Sequence, residues 1–197
     1  MSALFDHVST LFDAGHAAAP SELWLDPRIN EIPQFKPASV LIAITERDLP
    51  GVLLLHRPSN MRAHPGEVAF PGGKRDPGET AVEAALREAN EELGIREQDV
   101  SVIGTTDIYR TGSGYEITPV LGVIPADITI RPNPTEVAQW FEAPVGFVLD
   151  PANQMHNTIE HEGRNLTFVE IMWQDHRIWG VTGAIIHNLT RRLDWHG

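Results

Sequence analysis

The stretch from Thr80 to Gly94 has both of its ends written in the sequence, and no other part of the chain constrains the fold as tightly. Thr80 with Glu83 three residues on forms a capping box, and Gly94 after Leu93 is a helix-ending glycine. Between them Val82, Ala85, Leu86, Ala89 and Leu93 share one face at helical spacing. Runs of strand length surround this helix. Val40 to Thr45 and Val52 to His56 read as a hairpin about Asp48–Gly51, with short or longer strands at Val68 to Phe70, Val100 to Gly104, Ile117 to Ile124, Ile128 to Arg131 and Leu166 to Trp173. Pro134 to Phe141 and Thr182 to Leu193 read as helices, and Trp173 and Trp179 flank a further hairpin at Asp175 and His176. Strands and helices interleave without strict βαβ order, which predicts an α/β chain with a mixed sheet packed between helices.

Before this unit, Leu4, Phe5, Val8, Leu11 and Phe12 predict an amphipathic helix suited to pack on the domain or on a partner, such as a second copy in a homodimer. Pro20, Pro27, Pro33 and Pro37 then mark an extended arm, so residues 1–36 are expected to form a helix and arm and residues 37–197 the main domain. The chain has 197 residues and no Cys, which excludes disulfides, thiolate catalysis and Cys-bound zinc or iron–sulfur clusters. A net charge of −12 argues against nucleic acid or an anionic membrane as partner. No apolar run approaches the roughly 18 residues of a membrane span, and the acidic N-terminus does not resemble a secretory leader. A cytoplasmic protein acting on a small molecule is expected.

On the helical wheel Glu88, Glu91 and Glu92 crowd one flank within about one turn. Like charges three and four residues apart destabilise a helix, and Arg87, within reach of Glu83 and Glu91, cannot neutralise four glutamates. Hard divalent ions take oxygen ligands, one or two carboxylates beside waters and a phosphate, so the cluster suits half of a metal site. A solvated acidic face accounts for the glutamates alone but not for the glycine-rich loop before them.

Loop and helix together fit the pattern G-x5-E-x7-R-E-U-x-E-E-x-G-U at Gly73, Glu79, Arg87, Glu88, Ala89, Glu91, Glu92, Gly94 and Ile95. This resembles the Nudix box. The resemblance implies an α/β/α sandwich that hydrolyses a nucleoside diphosphate linked to another moiety, driven by Mg²⁺ or Mn²⁺. It implies Glu88 and Glu92 as principal metal ligands, Glu91 as a further ligand or as the base, Arg87 as the group that orients the carboxylates, and Gly73 as the turn beneath the site. Upstream, Arg57, Arg62, Gly66, Phe70, Pro71, Gly72 and Gly73 fit R-x4-R-x3-G-x3-F-P-G-G, similar to the signature of the coenzyme A pyrophosphatase branch. Leu55 and Pro58 depart from that branch, where Thr or Ser and a small Ser or Ala are usual, and leave the arginine spacing intact.

Coenzyme A carries a 3′-phosphate besides its diphosphate, and guanidinium groups suit bidentate phosphate recognition. Residues 57–75 hold a net charge of +3 and residues 79–92 one of −4. Arg57 and Arg62 are therefore expected to bind substrate together with Gly72 and Gly73; of the two, Arg57 in isolation reads rather as ordinary surface charge, and Arg62, flanked by His64 and Gly66 in a loop, is the better candidate for ligand contact. Glu136 is a candidate metal ligand or base by similarity, its other reading being a helix-start glutamate with Thr135 as cap. Tyr109, Arg110, Tyr115 and Glu116 surround a Gly112–Gly114 loop that suits a lid. The nine His show no paired metal spacing and read as structural or surface residues. The expected reaction yields 3′,5′-ADP and (acyl-)4′-phosphopantetheine; the alternatives are a broader hydrolase of ADP-ribose-like substrates and a non-catalytic nucleotide sensor.

Overall fold

Val40 to Ile44 is apolar without interruption, a pattern suited to a strand covered on both faces. In the computed structural model, which describes residues 2–19, 22–59, 66–161 and 163–196, it lies in β1 (Lys36–Thr45). Leu41 and Ala43 join one apolar cluster while Ile42 and Ile44 join another on the opposite face. Around β1 assemble β2 (Gly51–His56), β3 (Val68–Ala69), β4 (Gly72–Lys74), β5 (Ser101–Thr105), β6 (Tyr109–Arg110), β7 (Tyr115–Ile124) and β8 (Gln139–Pro144). β1 pairs antiparallel with β2 and β4 and parallel with β7, from Lys36 opposite Tyr115 to Thr45 opposite Ile124, so the sheet is mixed.

One face carries α2 (Ala81–Leu93), whose Ala85, Leu86, Ala89 and Leu93 meet Leu41, Ala43, Leu53 and Leu55. The other carries α1 (Ala3–His16), α4 (Gly180–Thr190) and a three-stranded sheet of β9 (Met155–His161), β10 (Arg164–Trp173) and β11 (His176–Trp179). A single turn, α3 (Val145–Val148), follows β8. The layers are α/β/α. Among the described residues no helix is long and apolar enough to cross a membrane.

Both ends of α2 form as its sequence dictates: Thr80 Oγ1 accepts from the Glu83 amide, Glu83 Oε2 accepts from the Thr80 amide, and Gly94 closes the helix at φ 69°. Two expected elements are absent. Residues 134–141 are not a helix but a turn followed by β8, which pairs with β2 from Gly51 opposite Pro144 to His56 opposite Gln139. Consecutive Trp140 and Phe141 pack on opposite faces of the sheet, which a strand allows and a helix does not. Ile128 to Arg131 is not a strand either. It packs Ile128 and Ile130 under α2, and Arg131 N donates to the carbonyl of Leu93 at the helix end.

The first helix runs to His16, longer than expected, and buries Val8 completely while Phe12 lies over Gly104. Beyond it the arm is pinned at Trp24 and at Asp26. Asn188 of α4 binds both the amide and the carbonyl of Trp24. Asp26 accepts from Arg28 and from the amide of Gly112.

Candidate active site

The site grows from the meeting of β4 with α2. Gly72 pairs with Val40 of β1 so closely that a Cβ would lie 2.4 Å from the Ser39 carbonyl oxygen, and its amide donates to Glu92 Oε2 at 2.8 Å. A Cβ on Gly73 would lie 2.3 Å from Glu88 Oε1. These two glycines therefore let β4 pass beneath two carboxylates. Opposite Gly73, on the same face of β1, the fully buried Ser39 hydroxyl has no hydrogen-bond partner among the described residues.

Arg87 organises the flank of α2. It makes a fork on Glu79, Nε to Oε1 at 2.7 Å and Nη2 to Oε2 at 3.1 Å, and Nη2 also donates to the Lys74 carbonyl. Its Nη1 reaches Glu88 Oε1 at 2.9 Å and Glu91 Oε2 at 3.1 Å. Glu83, expected within its reach, is instead spent on the capping box. The Arg87 hydrogen bonds, with that of the Asp76 amide, hold Glu79 down to about 2, and the same pairing raises Arg87 further above its ordinary value.

Glu92, only 5% exposed, is the deepest of the four. Burial pushes its pKa up to about 8 against the Gly72 hydrogen bond and the charge of Arg57, with Glu88 and Glu136 adding repulsion. Burial likewise raises Glu88, against Arg87 and with Glu91 and Glu136 as like-charged neighbours. Glu91 is half exposed and shares Arg87 with Glu88.

Glu136 arrives from outside the helix. The Asn133 amide donates to the Glu92 carbonyl, Asn133 Oδ1 accepts from the Thr135 amide and hydroxyl, and Asn133 Nδ2 donates to Glu136 Oε1 at 3.0 Å. The side chain that caps this turn is thus Asn133 rather than Thr135. Its signal in the sequence is Asn133-Pro134-Thr135, an Asx-turn pattern.

Glu88, Glu92 and Glu136 are thus brought within reach of one another's charge, with Glu91 at the rim. Arg57 is not a plain surface cation. It lies near enough to Glu92 to oppose its protonation, and its buried Nε has no partner among the described residues. Arg62 lies outside the described residues. The Gly112–Gly114 loop is held by Asp26 at the Gly112 amide and covered by Arg28.

Buried carboxylates that repel one another are donors suited to a hard divalent cation. Among the described residues no three His, Cys, Asp or Glu side chains gather closely enough to hold a metal by themselves. That fits an ion held by one or two carboxylates with substrate phosphate and water completing its shell. Gly73 supplies the matching space, since any side chain there would displace Glu88.

Residues 35–166 match the NUDIX domain. The chain belongs to the Nudix family. Relatives include proteins named "Uncharacterized Nudix hydrolase NudL" from Photorhabdus laumondii, 37% identical over 79% of this chain and 84% of the relative, and from Yersinia pestis, 39% identical over 79% of each. Among solved structures, the NUDIX domain of Shewanella oneidensis NrtR complexed with ADP ribose is 21% identical, covers 63% of this chain and 80% of that one, and superposes with a TM-score of 0.46. As a Nudix hydrolase the chain is an enzyme that cleaves nucleoside diphosphates linked to a further group. Helix α1, the arm and α4 lie outside the matched NUDIX residues.

Proposed function

We propose that this Nudix hydrolase cleaves the diphosphate linkage of coenzyme A and its derivatives, giving 3′,5′-ADP and 4′-phosphopantetheine, acylated or not, with Mg²⁺ or Mn²⁺ as cofactor. One observation carries the reading. Arg57, Phe70, Gly72 and Gly73, all from the second signature, line a single cavity of about 250 Å³ whose remaining lining joins apolar Val40, Ile117, Val181 and Ile185 to the uncharged Thr111, Ser113 and Tyr115, with Lys74 and Glu67 as its other charged residues. A diphosphate at the carboxylate end and the uncharged pantetheine arm along the uncharged lining match this division.

Glu88 and Glu92 are the ligands we assign to the metal, with Glu91 as a further ligand at the rim. A bound divalent ion supplies neutralisation of the diphosphate and a lowered pKa for a water. Arg87, fixed by its fork on Glu79, holds the Glu88 carboxylate in place. Arg57, on the wall of that cavity, offers its charge to a phosphate. Glu136 is the better placed proton acceptor: Asn133 aims it through one oxygen, whereas Glu91 is tied to the Arg87 cation.

The purified chain, assayed against coenzyme A, ADP-ribose, NADH and dinucleoside polyphosphates with products identified by mass spectrometry in H₂¹⁸O, is expected to favour coenzyme A. Preference for a substrate without a 3′-phosphate would overturn that specificity.

A further inference from the structure

A second cavity, of about 420 Å³, adjoins the first, and Glu67 and Val181 line both. Its walls come from three places. The arm gives Trp24, Pro27 and Arg28, the second sheet gives Ile159, Leu166, Phe168 and Trp179, and β6 gives Tyr109. Apart from Asp26, Arg28 and Glu67, these walls are almost wholly aromatic or aliphatic. Asp26 is 6% exposed and spends its oxygens on Arg28 and on the Gly112 amide, so it presents no free charge to an occupant.

The order of groups along the two cavities is fixed by the carboxylates. Gly72 and Gly73 stand at the diphosphate end of the first cavity, and Val181, at the start of α4, stands at its junction with the second. A substrate whose diphosphate is at Glu88 and Glu92 and whose pantetheine arm follows the first cavity has its sulfur end directed at the second. An apolar cavity there gains nothing from a free thiol and much from a hydrocarbon group on it.

We infer that the second cavity is an acyl subsite, which makes S-acyl derivatives with a hydrocarbon chain the preferred substrates over free coenzyme A. The inference rests on the coenzyme A reading above. The arm is its structural requirement. Trp24 is fixed by Asn188 and meets His156 at a tilt and His187 edge-on, so the wall it forms is built in place before any ligand arrives.

Burying a methylene favours binding by a factor of up to roughly fourfold. With the full chain, kcat/KM measured for free, acetyl-, butanoyl-, hexanoyl-, octanoyl- and decanoyl-coenzyme A is expected to climb with each added pair of methylenes by roughly threefold to tenfold and then level off as the cavity fills. Ile159→Glu and Leu166→Glu introduce charge on walls that are partly open to solvent. They are expected to erase the climb while the rate on free coenzyme A stays unchanged. Equal kcat/KM for all chain lengths in the unmodified protein would overturn the subsite and leave the coenzyme A reading standing. Absence of cleavage of every one of these compounds, with turnover of ADP-ribose, would overturn the coenzyme A reading itself. A climb that persists in both glutamate variants, shown folded by circular dichroism, would place the acyl group elsewhere and overturn the subsite.

Discussion

Burial separates Glu92 from Glu91, its neighbour in sequence. The first is sealed against the Gly72 amide and the second lies open at the rim, so one carboxyl titrates near pH 8 and the other faces water. A carboxyl whose folded pKa is raised from 4.5 to about 8 holds its proton more tightly folded than unfolded. Its contribution to stability is complete below about pH 4.5 and is lost as pH rises towards 8, at up to about 1.4 kcal/mol per pH unit for one proton. Chelator-treated protein should therefore melt at falling temperature between pH 6.5 and 8, and Glu92→Gln should flatten that slope. The histidines His176 and His187, held below their ordinary values by burial, destabilise in the opposite direction, as pH falls through about 6.5. The same substitution should lower turnover by more than about a hundredfold, because it removes a ligand charge without removing volume. The two glycines under the carboxylates predict a clean contrast. Gly73→Ala presses on the end of the flexible Glu88 side chain and should cost activity with little change in melting. Gly72→Ala presses on the backbone of Ser39 and Val40, which cannot swing away, and should cost about 1–3 kcal/mol in a urea titration.

At the scale of the element, the turn from Asn133 to Val137 matters as much as α2. It hangs from the helix end through the Asn133 amide on the Glu92 carbonyl and carries Glu136 to the other carboxylates. Asn133→Ala keeps that backbone bond and releases Glu136. We expect kcat to fall by tenfold to a hundredfold, since small misplacements of a reacting group cost that much. The stability loss should be about 1 kcal/mol, with KM for coenzyme A little changed. The contrast with α2 explains what could be read from sequence. The ends of α2 are set by contacts within its own segment, Thr80 with Glu83 and Gly94 with its own backbone, so local chemistry decides them. Residues 139–144 become a strand because β2 offers an edge, a partner distant in sequence that no local pattern announces. Glu136 was legible as a candidate only by likeness; what holds it, Asn133, was written nearby as a turn. Arg57, which in isolation reads as surface charge, is separated from a plain surface cation by its partly buried place beside Glu92.

Across the whole molecule the ends of the chain are tied to the middle. Arg192, 8% exposed, grips Asp107 with two hydrogen bonds of 2.7 Å and donates to the carbonyls of Gly15 and Ala18. One side chain thus joins the tail, the end of α1 and the segment between β5 and β6. Arg192→Ala leaves Asp107 largely buried and unpaired and should cost about 3–5 kcal/mol in denaturant unfolding, while molecules that remain folded keep their rate. The overall charge of −12 is likewise resolved by position: the described cation Arg57 stands beside the buried Glu92, so local placement rather than total charge governs what anion approaches.

The long parallel seam between β1 and β7 bears on how the molecule is made. Strand β1 leaves the ribosome early, yet its parallel neighbour emerges only after the whole box helix has been synthesised. Until then α2 has half a floor to lie on, since Val120 and Ile124 of β7 belong to the same apolar cluster. Non-local pairings of this kind close slowly. The nascent chain therefore carries its acidic helix without a finished sheet beneath it, and chains stalled before β7 has emerged from the ribosome should leave that helix accessible to protease, while chains stalled after β7 and β8 have both emerged should not.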